Sequence, residues 1–171
     1  MRIIHCTQKL LKELGNPPLL SPDSLPDMEG LGNWYANLLR IDRRKCLLFT
    51  NEKTLYTFLI PKVLKENLKN IKNEFLTHLI LNLRYEELGP NAVNHFREEY
   101  QEIGFAKTNN RAVLGSMNDF IYQAEGYIEM QGGIDRANIL VVNHKVNQAP
   151  MSMLKYERPV DAMKKVLRTS F

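Results

Sequence analysis

Apolar and polar positions alternate most regularly between Asn33 and Ile60. Successive side chains of a strand point to opposite faces, so Trp34, Ala36 and Leu38 share one face and Tyr35, Asn37, Leu39 and Ile41 the other. The pattern predicts strands over Trp34–Ile41, Lys45–Thr50 and Thr54–Ile60, joined by turns at Asp42-Arg43-Arg44 and Asn51-Glu52-Lys53. Both faces of this antiparallel meander carry apolar residues, which predicts that helices pack on the sheet and cover both. Further strands are expected over Arg2–Cys6 and Glu102–Lys107.

Helical periods fill the rest. Gln8–Leu14 follows a Thr7 cap and ends at Gly15. Leu64, Leu68, Ile71, Phe75 and Leu79 recur at spacings of four and three, the stripe of a helix opened by Pro61. Lys62, Lys65, Lys69 and Lys72 run along another face and read as a solubilising stripe. Gly89-Pro90 breaks the period before a helix at Asn91–Tyr100. Ser116 with Asp119 reads as a capping box for a helix over Met117–Met130, with Phe120, Ile121, Ala124, Tyr127 and Ile128 inward. Asp135–Asn147 predicts another, with Ala137, Leu140, Val141 and His144 on one side. Pro159 opens a last helix with Ala162, Met163, Val166 and Leu167 inward. The fold expected is α+β: a small antiparallel sheet, the meander plus one or two further strands, packed with several helices in a single domain over residues 1–171. Pro17, Pro18, Pro22 and Pro26 make residues 16–32 a Pro-rich loop.

Composition narrows the class. With 44% hydrophobic and 25% charged residues among 171, the chain is not mostly disordered. No apolar run approaches the roughly 20 residues of a membrane helix, so no membrane partner is expected. The N-terminus lacks the apolar stretch of a secretory signal. Two cysteines exclude a disulfide framework, and a cytoplasmic location is expected. The net charge is a modest +4, but it is unevenly spread. Ile134–Phe171 holds seven basic residues, Lys164, Lys165 and Arg168 among them, against three acidic ones, whereas Glu86, Glu87, Glu98, Glu99 and Glu102 form an acidic stretch.

No catalytic, metal or cofactor motif emerges. His5, His78, His95 and His144 lack partners at zinc-like spacing and read as structural. A nucleophile pair of Cys6 with His95 or His144 is outweighed by the ordinary behaviour of cysteine as a small buried hydrophobe. Gly30-Leu31-Gly32 completes no phosphate loop. Two anion sites remain. Gly115-Ser116 at a helix start, with Arg111 upstream and Asn118 and Asp119 following, would offer backbone N–H groups to an anion. Arg40, Arg43, Arg44 and Lys45 cluster at a hairpin turn, where arginine suits phosphate and an exposed Trp34 or Tyr35 would stack on bases.

Asn147, Pro150, Leu154, Tyr156 and Pro159 are spaced as N-x-x-P-x-x-x-L-x-Y-x-x-P, similar to a tail of some retroviral-type transposases, which implies nucleic-acid association. A helix stop before a proline-started helix accounts for the same residues. Three blocks, HCTQKLLK from His5, NWYANLLRIDRRKCLLFT from Asn33 and RAVLGSMND from Arg111, resemble a family of small bacterial proteins known only as a domain of unknown function. The resemblance implies a bacterial or phage-borne cytoplasmic protein and carries no activity. The leading expectation is a non-enzymatic protein that binds nucleic acid or an acidic protein partner through Arg43-Arg44-Lys45 and the basic C-terminal segment. The alternatives are a phosphate-handling hydrolase or nuclease at Arg111–Asp119, and one component of a two-protein bacterial system of the toxin–antitoxin or phage-defence kind.

Overall fold

The computed structural model describes residues 1–24 and 29–170. Pro26, in the expected Pro-rich loop, and Phe171, at the end of the basic segment, lie outside the described residues. In chain order the elements are β1 (Arg2–Cys6), α1 (Gln8–Glu13), β2 (Trp34–Ile41), β3 (Arg44–Asn51), β4 (Thr57–Ile60), α2 (Lys65–Lys69), α3 (Ile71–Tyr85), α4 (Val93–Glu99), β5 (Ile103–Lys107), α5 (Arg111–Met130), α6 (Ile139–Val146) and α7 (Pro159–Ser170). The α+β architecture is the one expected. The meander β2-β3-β4 is antiparallel, with Ile41 opposite Arg44 and Thr50 opposite Thr57. The two added strands pair differently: β1 lies between β2 and β5 and runs parallel to both, giving a mixed sheet of order β4-β3-β2-β1-β5.

The alternation along β2 sorts the core into two layers, as both faces of the meander predict. Trp34, Ala36 and Leu38 join Phe49, Phe58, Phe75, Phe96 and Met163 under α1, α3, α4 and α7. Tyr35, Leu39 and Ile41 join Leu48, Met117, Phe120 and Val142 under α5 and α6.

Both sheet edges are covered. Outside β5, the Leu20 amide donates to the Phe105 carbonyl at 2.8 Å, and a Cβ at Gly104 would lie 2.4 Å from Leu20 Cδ1. Outside β4, two buried asparagines of the α6 region take the place of a neighbouring strand. Asn143 Oδ1 accepts from the Leu59 amide at 2.9 Å, and its Nδ2 donates to the Leu59 carbonyl at 3.3 Å and to Asn82 Oδ1 at 2.9 Å. Asn147 Oδ1 accepts from the Thr57 amide at 2.8 Å, and its Nδ2 donates to the Thr57 carbonyl at 2.7 Å and the Asn143 carbonyl at 2.8 Å. The spacing matches physically. Four residues of helix rise about 6 Å, close to the roughly 6.7 Å between alternate residues of a strand.

Several helix boundaries differ from expectation. The stripe from Leu68 to Leu79 is buried, but α2 and α3 are separate helices meeting at Asn70, and Leu64 is 69% exposed. Helix α5 begins at Arg111, because Asn110 accepts from the Ala112 and Val113 amides; Ser116 therefore caps nothing. Helix α6 starts at Ile139, not Asp135, and buries Val142, Asn143 and Val146 in place of the side expected. No helix among the described residues is long and apolar enough to cross a membrane.

Candidate basic groove

Strands β2 and β3 are joined by only two residues, Asp42 and Arg43, with φ of 49° and 66°. Positive φ at both positions is the geometry of a type I′ hairpin turn. The Asp42 side chain pins this turn to the loop after α5: its Oδ2 accepts from the Ile134 amide at 2.8 Å. The neighbouring Gly133 has φ +102°, and a Cβ there would stand 3.0 Å from the same oxygen. Arg40 Nη1 donates to the Arg43 carbonyl at 3.2 Å and braces the tip.

The register sets Arg40 directly opposite Lys45. Like charges facing each other across an antiparallel pair are destabilising, so this turn carries a charge arrangement the sheet itself does not favour. The chain leaving β4 adds more. The Val63 amide donates to the Lys45 carbonyl at 2.9 Å, which draws Lys62, Leu64 and Lys65 against the hairpin. A groove of about 290 Å³ results, with Arg40, Arg43, Arg44, Lys45, Lys62 and Lys65 around it and Val63, Leu64 and Leu68 as its apolar lining.

Carboxylates answer only part of this charge. Glu13 Oε2 pairs with Lys45 Nζ at 3.0 Å. The hydrogen bond and charge of Lys45, helped by Arg40 and Lys65, hold the Glu13 carboxyl below its ordinary range. Asp135 lies 3.7 Å from Arg44 and 3.8 Å from Lys62, and its side chain is 64% exposed, which screens both contacts. Arg43 and Lys65 make no ion pair among the described residues. An acidic neighbourhood adjoins the turn: Arg40 also borders a cavity of about 660 Å³ that Asp42, Glu125 and Glu129 line. No set of three His, Cys, Asp or Glu side chains among the described residues is arranged to hold a metal ion.

The other expected site residues lie elsewhere. Trp34 is buried, donates from Nε1 to the Tyr100 hydroxyl at 2.8 Å and meets Phe58 and Phe75 edge-on, so it offers no base a stacking surface. Tyr35 is buried too. It stacks on His5 and donates to Asn109 Oδ1, and burial with the charge of Glu52 pushes its hydroxyl up to about 12. On α5 the four candidates do not converge. Asn118 and Asp119 are exposed, and Arg111 is exposed on the first turn. Ser116 is buried a turn and more into the helix, its hydroxyl given to the Ala112 carbonyl at 3.2 Å. Gly115 and Ser116 therefore lie inside the helix and not at its start, which is the turn that Asn110 caps. On α7, Lys164 and Arg168 border a separate cavity of about 640 Å³ with His95 and Leu167, while Lys165 pairs with Glu157 at 2.6 Å. Of the transposase-like spacing, Asn147 is spent on β4 and Pro159 begins α7.

Both thiols are buried, and two of the imidazoles have internal hydrogen-bond partners. Burial pushes the Cys6 thiol up to about 12 and raises Cys46 as well. His5 bonds the Lys107 carbonyl, and His144 meets the buried Glu86 carboxylate at 2.9 Å. Sequence reasoning missed Lys62, Lys65 and Leu64 as groove residues. The available signal was that the lysine and leucine stripes begin directly after Pro61, at the end of a strand.

No curated protein and no solved structure matches the chain. A family model matches residues 3–162, a span that includes every residue of the groove and leaves Lys164, Lys165 and Arg168 outside. With nearly its whole length matched, the chain belongs to the family described as Domain of unknown function (DUF6933).

Proposed function

We propose that this protein works by binding, not by turnover, and that the groove between the β2–β3 hairpin and the start of α2 engages a polyanionic partner. The observation that carries this reading is the gathering of six cations around one groove against the carboxylates of Glu13 and Asp135. Arg40 and Lys45 face each other across the hairpin with Glu13 beside them, while Arg43 and Lys65 make no ion pair among the described residues and are left for an anionic partner. Lys164 and Arg168 supply a second cationic patch. The setting is the cytoplasm of a bacterium, as the family resemblance implies.

The test is a titration of labelled duplex DNA, single-stranded RNA and polyglutamate at low and moderate salt. At least one should bind, with affinity falling steeply as salt rises. Arg43→Glu combined with Lys65→Glu should weaken that binding by about a hundredfold, as reversal of two charges at a groove rim implies. Absence of binding by all three polyanions at low salt would refute the reading. So would equal binding by the double variant.

A further inference from the structure

We infer that the groove takes an acidic protein segment anchored by an apolar side chain. This deepens the proposed function and rests on it. The six cations share the groove with three apolar residues, of which Val63 and Leu68 are buried and Leu64 alone is exposed. Leu64 is 69% exposed, whereas Leu68, Ile71, Phe75 and Leu79 of the same stripe are buried. Its placement follows from the backbone: Lys62 adopts φ +52° and the Val63 amide is tied to Lys45, which swings Leu64 out beside the cations.

Nucleic acid fits this surface less well. None of the groove residues is aromatic, and Trp34 and Tyr35 are buried, so a base finds no stacking platform. Phosphates gain nothing from an exposed leucine. A peptide carboxylate satisfies the arginines and lysines equally, and an apolar side chain flanked by such carboxylates also removes Leu64 from water. At about 290 Å³ the groove falls just below the roughly 300–1,000 Å³ of small-molecule pockets. Charge complementarity at the rim and apolar contact at the centre are the usual division of labour in a protein interface.

The experiment is fluorescence anisotropy on the full chain with three probes: a short glutamate-rich peptide carrying central leucines, its twin with serines for leucines, and a single-stranded DNA of equal charge. The leucine peptide should bind at least about tenfold more tightly than the serine twin and the DNA. Leu64→Ser should remove that advantage, bringing the leucine peptide to the affinity of its serine twin. Leu64→Ala is the second variant should the serine substitution lower the melting temperature. Equal binding of the two peptides overturns the inference while the polyanion reading stands. Tighter binding of DNA, indifferent to Leu64→Ser, overturns it in favour of a phosphate site. Failure of every probe to bind at low salt overturns the polyanion reading and the inference together.

Discussion

Asn147→Ala is the sharpest test of how the sheet is closed. Asn147 and Thr57 are both fully buried, and the side-chain amide makes three hydrogen bonds there: from the Thr57 amide at 2.8 Å, to the Thr57 carbonyl at 2.7 Å and to the Asn143 carbonyl at 2.8 Å. Alanine keeps the helix and removes all three. The Thr57 N–H and C=O lose their outer partners, and each buried orphan costs about 1–3 kcal/mol. The expected loss is therefore about 3–5 kcal/mol, which for a chain of this size lowers Tm by roughly 6–20 °C. Urea denaturation gives the free energy, and hydrogen exchange locates it. The Thr57 amide should exchange at least about a hundredfold faster. Asn147→Asp at neutral pH should be as damaging, because a carboxylate accepts from the Thr57 amide but repels its carbonyl. Acidification should return part of that loss, since a protonated carboxyl donates. A loss below about 1 kcal/mol in Asn147→Ala, with Thr57 still protected, would refute the idea that α6 stands in for a missing strand.

Three further outcomes are expected. The Cys6 thiol titrates near 12 in the folded chain against 9.0 when unfolded, so above pH 9 the unfolded state loses its proton first and stability falls by up to about 1.4 kcal/mol per pH unit. Urea midpoints from pH 8 to 11 should show this decline and Cys6→Ala should delay its onset; rapid alkylation of native Cys6 at pH 9 would contradict it. Trp34→Phe should cost about 1–3 kcal/mol through its lost hydrogen bond and its core volume, yet leave polyanion affinity unchanged. Quenching of the single tryptophan on adding an oligonucleotide would contradict its burial. Gly133→Ala should destabilise by about 1–2 kcal/mol, because a Cβ at φ +102° is strained and crowds the Asp42 carboxylate that holds the hairpin tip. An unchanged melting temperature would show that this tether contributes nothing.

Local pattern was enough for much of the fold. Period-two alternation placed Trp34 and Tyr35 on opposite faces, and Asp42-Arg43 marked the turn, because hairpin register depends on residues close in the chain. The stripe from Leu64 to Leu79 marked a helical face that is buried from Leu68 onward, while Leu64 is exposed and two helices share the stripe. Capping was ambiguous: Asn110 and Ser116 are both good cap residues, and the earlier one took the helix start. The candidate site was half legible. Arg40, Arg43, Arg44 and Lys45 announced themselves as neighbours in sequence, but their grouping with Lys62, Lys65 and Leu64 depends on one bond between the Val63 amide and the Lys45 carbonyl. The parallel seating of β1 between β2 and β5, the burial of Trp34 and the asparagines laid along β4 likewise belong to the tertiary structure alone. Each joins residues separated by long stretches of chain, and no periodicity or local propensity encodes such a pairing: it forms because buried backbone groups and apolar faces must find partners, wherever in the sequence those partners lie.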